Sequence, residues 1–273
     1  MPGRVPVIIP FYKAHDKLER CLAHLRRQTY PNVEPFVRDN SEDNIFFTAA
    51  VNEGLRRFMF DPEVRYIAIL NQDAYLDPRA IELLVGFLEQ QPDAGIACPL
   101  QHDEMGRVTW GGSLQSFPFG VHRCDPIESY QHPTETPWAN GAAFVIRPEV
   151  VREVGLLDAN MKFICSDADF SLSARARGWK IYLVPEARCL HTISASQRGT
   201  DAEIGAIKLR DALYFARKWV SGDLYRTLAY EGAQLMRLEV GVEIKKLERT
   251  LSEVERTLQN RQPPPRRPSE RTS

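Results

Sequence analysis

Short apolar runs alternate along the first hundred residues with stretches whose apolar positions recur three and four apart. Residues 5–9, Val-Pro-Val-Ile-Ile, predict a buried strand, after which Leu18, Cys21, Leu22 and Leu25 share one helical face. The unit repeats twice, with a strand at 33–37 and a helix at 45–59, then a strand at 66–70 and a helix at 78–88. Residues 95–98 add a fourth strand. In the third helix Ile81, Leu84, Val85 and Leu88 form the inner face, with Pro78 at the first position and Asp77 as its cap. Such alternation implies an α/β fold, with a mostly parallel central sheet covered by helices on both faces.

After residue 98 the rhythm changes. Residues 99–137 carry Gly106, Gly111, Gly112 and Gly120 and several prolines among short alternations, and predict a hairpin-rich loop region that carries specificity. Strand and helix signals return at 142–146, 148–154 (ended by Gly155), 169–177 and 180–184, with 187–190 as one more candidate strand. Residues 201–219 predict a helix with Ile204, Ile207, Leu213, Phe215 and Trp219 among its apolar positions. Farther on, Val240, Ile244, Leu247, Leu251, Val254 and Leu258 alternate spacings of four and three, as a coiled-coil seam does. Two readings follow: a helix packed on its own domain, or a homodimer contact. The tail at 261–273, with four arginines against one glutamate, predicts disorder. It reads as solvated, with contact to an anionic membrane as the alternative. The chain thus divides into a domain at 1–222, a C-terminal helix at 223–260 and the tail.

Composition narrows the function mainly by exclusion. A formal net charge of −1 over 273 residues gives no overall pull toward nucleic acid, so any polyanion must be held locally. Five cysteines without a Cys-x-x-Cys pair suggest neither a disulfide framework nor a zinc ribbon and suit a reducing cytosol. No apolar stretch approaches the roughly 20 residues that span a bilayer, so the expectation is a soluble or peripherally attached protein. There is no G-x-x-x-x-G-K-[ST] and no G-x-G-x-x-G, which disfavours a Walker ATPase or a dinucleotide oxidoreductase.

Chemistry concentrates where predicted strands end. The apolar run at 66–70 stops at Asn71, Gln72 and Asp73, on the side of an open sheet where ligands bind. Asp39 closes the second strand at the same edge. A carboxylate there is costly unless it meets a cation or hydrogen-bond donors. Carboxylates without a glycine cradle point to phosphates held through a hard metal ion. Asp167 and Asp169 lie at a loop-to-helix junction, where Asp167 reads as a helix cap or a functional acid. His191 closes a strand, as a core histidine or a metal ligand. Trp138 reads as a core or rim residue.

Three stretches, "VPVIIPFYKAHDKLERCLAHLRRQTYPNVEPFVRDNSED", "YIAILNQDAYLDPRAIELLVGFLEQQPDAGIACP" and "WANGAAFVIRPEVVREVGLLDANMKFICSDADFSLSARARGWKIYLVPEARCLH", together resemble the family 2 inverting glycosyltransferases, over residues 4–195. The likeness is greatest to their bacterial rhamnosyltransferase-like and galactosyltransferase-like branch. It implies a GT-A fold with a C-terminal helical extension. It also implies a nucleotide-diphosphate sugar donor, UDP- or dTDP-linked, and a divalent ion, Mg²⁺ or Mn²⁺. Carried onto this chain, Pro10, Phe11, Tyr12 and Asp39 line the nucleoside pocket, and Asn71-Gln72-Asp73 stands at the Asp-x-Asp position with Asp73 on the metal. Gly141 and Ala142 match the small pair beside the transferred sugar, Asp167 the general base, and His191 a histidine of the metal shell. Trp138 falls on the acceptor side. The implied acceptor is a surface polysaccharide or its lipid-linked precursor, which would place the protein in the cytoplasm, at the inner membrane face.

The chain departs from that pattern at Asn71, which replaces the first acid, at Ser166, which replaces a glutamate before the base, and at Lys13, where asparagine is frequent. The Asp39-Asn40-Ser41 loop is also one residue shorter than usual before its next acid. These departures keep open a second reading, a non-catalytic nucleotide-sugar-binding or scaffolding protein. A nucleotidyltransferase is a further rival, but "IIPFYKAHDK" lacks the glycine-rich nucleotide loop it needs.

Overall fold

The computed structural model describes residues 3–114, 121–192, 202–220 and 237–261. In chain order the first elements are β1 (Val5–Phe11), α1 (His15–Leu25), β2 (Val33–Asp39), α2 (Phe46–Phe58) and β3 (Ile67–Leu70). β4 (Tyr75–Leu76), α3 (Ala80–Gln90) and β5 (Ala94–His102) follow. Four short strands come next: β6 (Val108–Trp110), β7 (Ser113–Leu114), β8 (Val121–His122) and β9 (Thr134–Glu135). The rest is β10 (Ala143–Ile146), α4 (Pro148–Val154), α5 (Ser166–Arg175), β11 (Lys180–Leu190), α6 (Ala202–Val220) and α7 (Arg237–Arg261). The tail at 262–273 and the segment 223–236 lie outside the described residues.

β1 shows how the sequence sets the layers. Its odd positions, Val5, Val7 and Ile9, pack with Cys21 and Leu25 of α1 and with Ile81, Leu84, Val85 and Leu88 of α3. Ile8 points the other way, into a second core with Val51, Leu55 and Phe58 of α2, Val150 and Val151 of α4, and Phe170 of α5. Period-two alternation therefore puts helices on both faces, each buried against one side of the sheet.

The sheet order is β2-β1-β3-β10-β5-β11-β4, with β6 paired to β5 and β9 to β11. The parallel pairing expected from the alternation holds for β2–β1–β3 and for β5–β11. Between these blocks β10 runs antiparallel to both β3 and β5. It enters the sheet from the 103–142 excursion instead of a helical crossover, and parallel neighbours require the crossover. The stretches 180–184 and 187–190 form one strand, with a register shift between Val184 and Arg188 where Pro185 cannot donate to the ladder.

Two helix starts differ from expectation. Asp77 does not cap α3 with its side chain; the helix begins at Ala80, and Gln28 Oε1 accepts from the Ile81 N–H (3.1 Å). Pro78 and Arg79 form a turn whose Pro78 carbonyl accepts from the Thr29 N–H (2.8 Å), so the cap comes from the far end of α1. α5 starts at Ser166, three residues before the apolar rhythm shows it, because Cys165 in a left-handed conformation (φ 69°) turns the chain there. α7 packs on α6 in the same chain, through Arg210–Glu255 and Arg217–Glu248 ion pairs, with Leu247 of the seam buried. Among the described residues no helix is long and apolar enough to cross a membrane.

Gly54 of α2 lets the helix close on the sheet, since a Cβ there would lie 2.6 Å from Ile8 Cγ1. Gly54→Ala should cost about 1–3 kcal/mol through overpacking, despite the better helix propensity of alanine. Urea unfolding checks this, and the loss should shrink in an Ile8→Ala background, where the clash is gone.

Candidate active site

A cavity of about 630 Å³ opens at the carboxyl ends of β1 and β3 and runs to α6. Its size is ordinary for a small-molecule site. Pro10, Tyr12, Asn71, Gln72, Asp73, Trp138, Gly141, Ala142, Asp167 and His191, all singled out in the sequence, line it. Phe11 and Asp39 sit outside the wall: Phe11 is 2% exposed in the core, and Asp39 is exposed with its carboxylate on the Ser41 N–H (2.8 Å).

The loops that follow β1 and β3 are stitched together. Gln72 accepts from the Tyr12 N–H (2.6 Å) and donates to the Tyr12 carbonyl (3.2 Å). The Asn71 N–H donates to the Ala142 carbonyl (2.8 Å), which carries the β3–β10 pairing one step past the strand. Asp73, in the turn between β3 and β4, has Lys17 Nζ 3.2 Å from Oδ2 and His191 Nε2 3.8 Å from Oδ1.

A chain of side chains with determined polarity leads away from His191. The Ala142 N–H donates to Asn140 Oδ1 (2.9 Å), which fixes that oxygen as the acceptor. Gln101 must then present Nε2 to it (3.3 Å), so Gln101 Oε1 faces His191 Nδ1 (3.0 Å). His191 therefore carries its proton on Nδ1 and turns the Nε2 lone pair toward Asp73. Burial pushes the His191 pKa below its ordinary value, against the pull of Asp73, and keeps the ring neutral. On the other branch, Asn140 Nδ2 donates to His122 Nε2 (3.3 Å), whose Nδ1 reaches the Thr109 carbonyl (3.3 Å).

Asp167 and Asp169, two residues apart in α5, have separate duties. Asp169 is 3% exposed and turns to α6, where Trp219 Nε1 (2.9 Å) and Lys218 Nζ (3.0 Å) hold it. Asp167 faces the cavity, with Oδ2 on the Gly141 N–H (2.7 Å) and Oδ1 on the Ala168 N–H (2.8 Å). Burial raises its pKa above the usual carboxylate value, and the two N–H donors oppose that rise. Any Cβ at position 141 would meet Asp167 Oδ2 and Phe47 Cζ, each at 3.0 Å, so glycine lets the carboxylate close on the backbone.

Comparison with known proteins decides the family. The family model described as glycosyl transferase family group 2 matches residues 66–244. The chain belongs to this family. O-antigen biosynthesis protein RfbC of Myxococcus xanthus is 26% identical over 258 residues, covering 82% of this chain. The chain spans only 19% of that relative's length. Among solved structures, GalNAc-T7 with UDP, GalNAc and Mn2+ matches with a TM-score of 0.59 at 15% identity, over 92% of this chain and 54% of that one. Mannosyltransferase PcManGT from Pyrobaculum calidifontis, in complex with GDP-Man and Mn2+, matches with a TM-score of 0.59 at 12% identity, over 96% and 77% of the two chains. At these identities the likeness establishes the GT-A fold.

In this member of glycosyl transferase family group 2, several wall residues give little signal in the sequence. Lys17, Gln101, His122, Asn140 and Lys208 reach the cavity through tertiary structure; Lys17 and Asn140 fall within the quoted stretches, but the resemblance gives neither a role there. The far end is aromatic: Phe46 and Phe163 meet edge to face (6.3 Å), and Lys208 Nζ lies 5.3 Å from the Phe163 ring centre. Phe46 (φ 64°) and Cys165 (φ 69°), both in the wall, are held in left-handed backbone, a strain that clusters at functional sites.

That strained loop is clamped from two sides. The Thr48 hydroxyl bonds the Met161 carbonyl and the Ser166 hydroxyl (2.8 Å), while Asp211 of α6 accepts from the Phe163 and Ile164 N–H groups (2.6 and 3.0 Å). Asp211→Ala leaves two N–H donors without their acceptor and should cost about 1–3 kcal/mol for each that stays buried. Urea unfolding gives the total, and faster amide exchange confined to residues 161–165 would place the loss.

Proposed function

We propose that this chain is an inverting glycosyltransferase that moves a sugar from a UDP- or dTDP-linked donor to a hydroxyl of a glycan or lipid-linked glycan. The observation that carries the reading is that Asp73 and Asp167, 94 positions apart in sequence, line one cavity together with the small pair Gly141-Ala142. Family membership and the nucleotide complexes of the two structural neighbours support the donor class.

The residues divide the reaction between them. Tyr12, Gln72 and Asp73 bound the end of the cavity where open α/β sheets take their ligands, which suits the nucleoside diphosphate. Asp167 stands on the wall between that end and the aromatic end. There it takes the proton of the acceptor hydroxyl as the oxygen bonds to the anomeric carbon and the bond to the diphosphate breaks, with its electron pair leaving on phosphate. Burial makes Asp167 a stronger base than a solvated carboxylate, and the Gly141 and Ala168 N–H groups fix its orientation.

A divalent ion fits two donors of the site. Asp73 Oδ1 and the His191 Nε2 lone pair face each other at 3.8 Å, two acceptors that call for a cation between them. Both structural neighbours were determined with Mn2+. Bound there, Mn²⁺ or Mg²⁺ would neutralise charge on the departing diphosphate. Among the described residues no group of three or more His, Cys, Asp or Glu side chains is placed to hold a metal, and this reading assigns the ion to Asp73 and His191.

Asp167→Asn should lower transfer at least about 100-fold while keeping the nucleotide-dependent rise in melting temperature, scored with UDP, dTDP and GDP in Mn²⁺. Transfer unchanged in this variant would remove Asp167 as the base. The base works ionised and is silenced by protonation. Because burial lifts its pKa, the acid limb of kcat/KM should lie above the ordinary aspartate value of about 3.9. Gln101→Leu frees the His191 tautomer and should weaken Mn²⁺ binding by about 10–100-fold, read by calorimetry with UDP present.

A further inference from the structure

The Asp73 carboxylate meets a fixed cation on one side and a neutral ring on the other. Lys17 Nζ is 3.2 Å from Oδ2, His191 Nε2 is 3.8 Å from Oδ1, and all three residues line the cavity. Lys17 belongs to the first turn of α1, so the helix that follows β1 delivers an ammonium to the turn that follows β3. At the β3 end Asn71 stands where the family resemblance puts a second carboxylate, and Asp73 there pairs with the Lys17 ammonium.

This juxtaposition sets two binding events against each other. A divalent ion on Asp73 and His191 meets the Lys17 charge beside the Asp73 carboxylate, which weakens its binding. An ammonium has three donors, so Lys17 can bond Asp73 and still donate to phosphate oxygens in the cavity. We propose that Lys17 is a built-in cation of the donor site: it binds the diphosphate of the nucleotide directly and competes with the divalent ion for Asp73. The inference rests on the nucleotide-sugar reading and adds to it a ligand group outside the Asn71-Gln72-Asp73 turn. Nucleoside diphosphate then binds without metal, and metal binds weakly until nucleotide arrives.

Lys17→Met, made in the full chain, tests this with two readouts of opposite sign. Its side chain is 38% exposed, so the substitution should leave the fold intact, to be checked by far-ultraviolet circular dichroism. In EDTA, calorimetric affinity for UDP and dTDP should fall about tenfold or more. With no nucleotide present, Mn²⁺ affinity followed by electron paramagnetic resonance should rise about three- to tenfold. Lys17→Arg should keep metal-free nucleotide binding. If wild type binds nucleotide only with Mn²⁺, or if Lys17→Met leaves both affinities unchanged, Lys17 has no such role while the donor reading stands. If wild type binds neither nucleotide with or without Mn²⁺, the donor reading falls and takes this inference with it.

Discussion

The Gly141 N–H bonded to the Asp167 carboxylate at 2.7 Å is the contact on which the site's arrangement depends. Gly141 lies just ahead of β10, and Asp167 sits in the first turn of α5, so one hydrogen bond joins the sheet to the helix layer at the cavity wall. One residue on, the Ala142 carbonyl accepts from Asn71 and the Ala142 N–H donates to Asn140. The short run 140–142 therefore fixes the acid of α5, the turn after β3 and the amide chain to His191. No side chain at positions 141 and 142 exceeds a methyl group, which lets Asp167, Asn71 and Asn140 close on that buried backbone.

The antiparallel placement of β10 follows from the same requirement. A strand delivered by a helical crossover would arrive parallel and present its first residues at the opposite end of the sheet. Entering from the 103–142 excursion, β10 starts beside Leu70, the last residue of β3, and so sets Gly141 and Ala142 at the ligand edge. Burial then does the electrical tuning. It raises the Asp167 pKa and lowers that of His191, in the latter case against the pull of the Asp73 carboxylate, so one group is a stronger base and the other stays neutral.

How much of this could be read in the chain depends on the range of the interaction. The layered sheet was legible because Val5, Val7 and Ile9 against Ile8 is a local pattern. Asp73 and Asp167 were legible because a carboxylate after a buried strand or at a helix start is locally anomalous, and the family likeness ties the two positions together. Lys17, Gln101 and His122 carried no such mark: a lysine in a first helical turn, a glutamine in an extended strand and a histidine among glycines are each unremarkable until pairing brings them to one wall. The Asp77 cap failed for the same reason, since the group that serves α3 is Gln28, 53 positions before Ile81. The start of α5 was hidden by composition, because polar Ser166 and Asp167 fall before the predicted start at 169, although the Asp169 N–H already bonds the Cys165 carbonyl (2.9 Å).

The grip of α6 on the loop before α5 separates two kinds of change. Asp211, Lys218 and Trp219 anchor the helix through groups turned away from the cavity, whereas Ile204, Lys208 and Phe215 face into it from the same helix. Ile204 and Lys208 are thus separate from the anchors, whereas Phe215 also packs in the core cluster against which Trp219 rests. A lineage that redrew only those inward positions would reshape the far end of the chamber and leave β1, β3 and their turns untouched. The helix is in effect an adjustable jaw on a fixed vice, which gives the scaffold a route to new partners at that end.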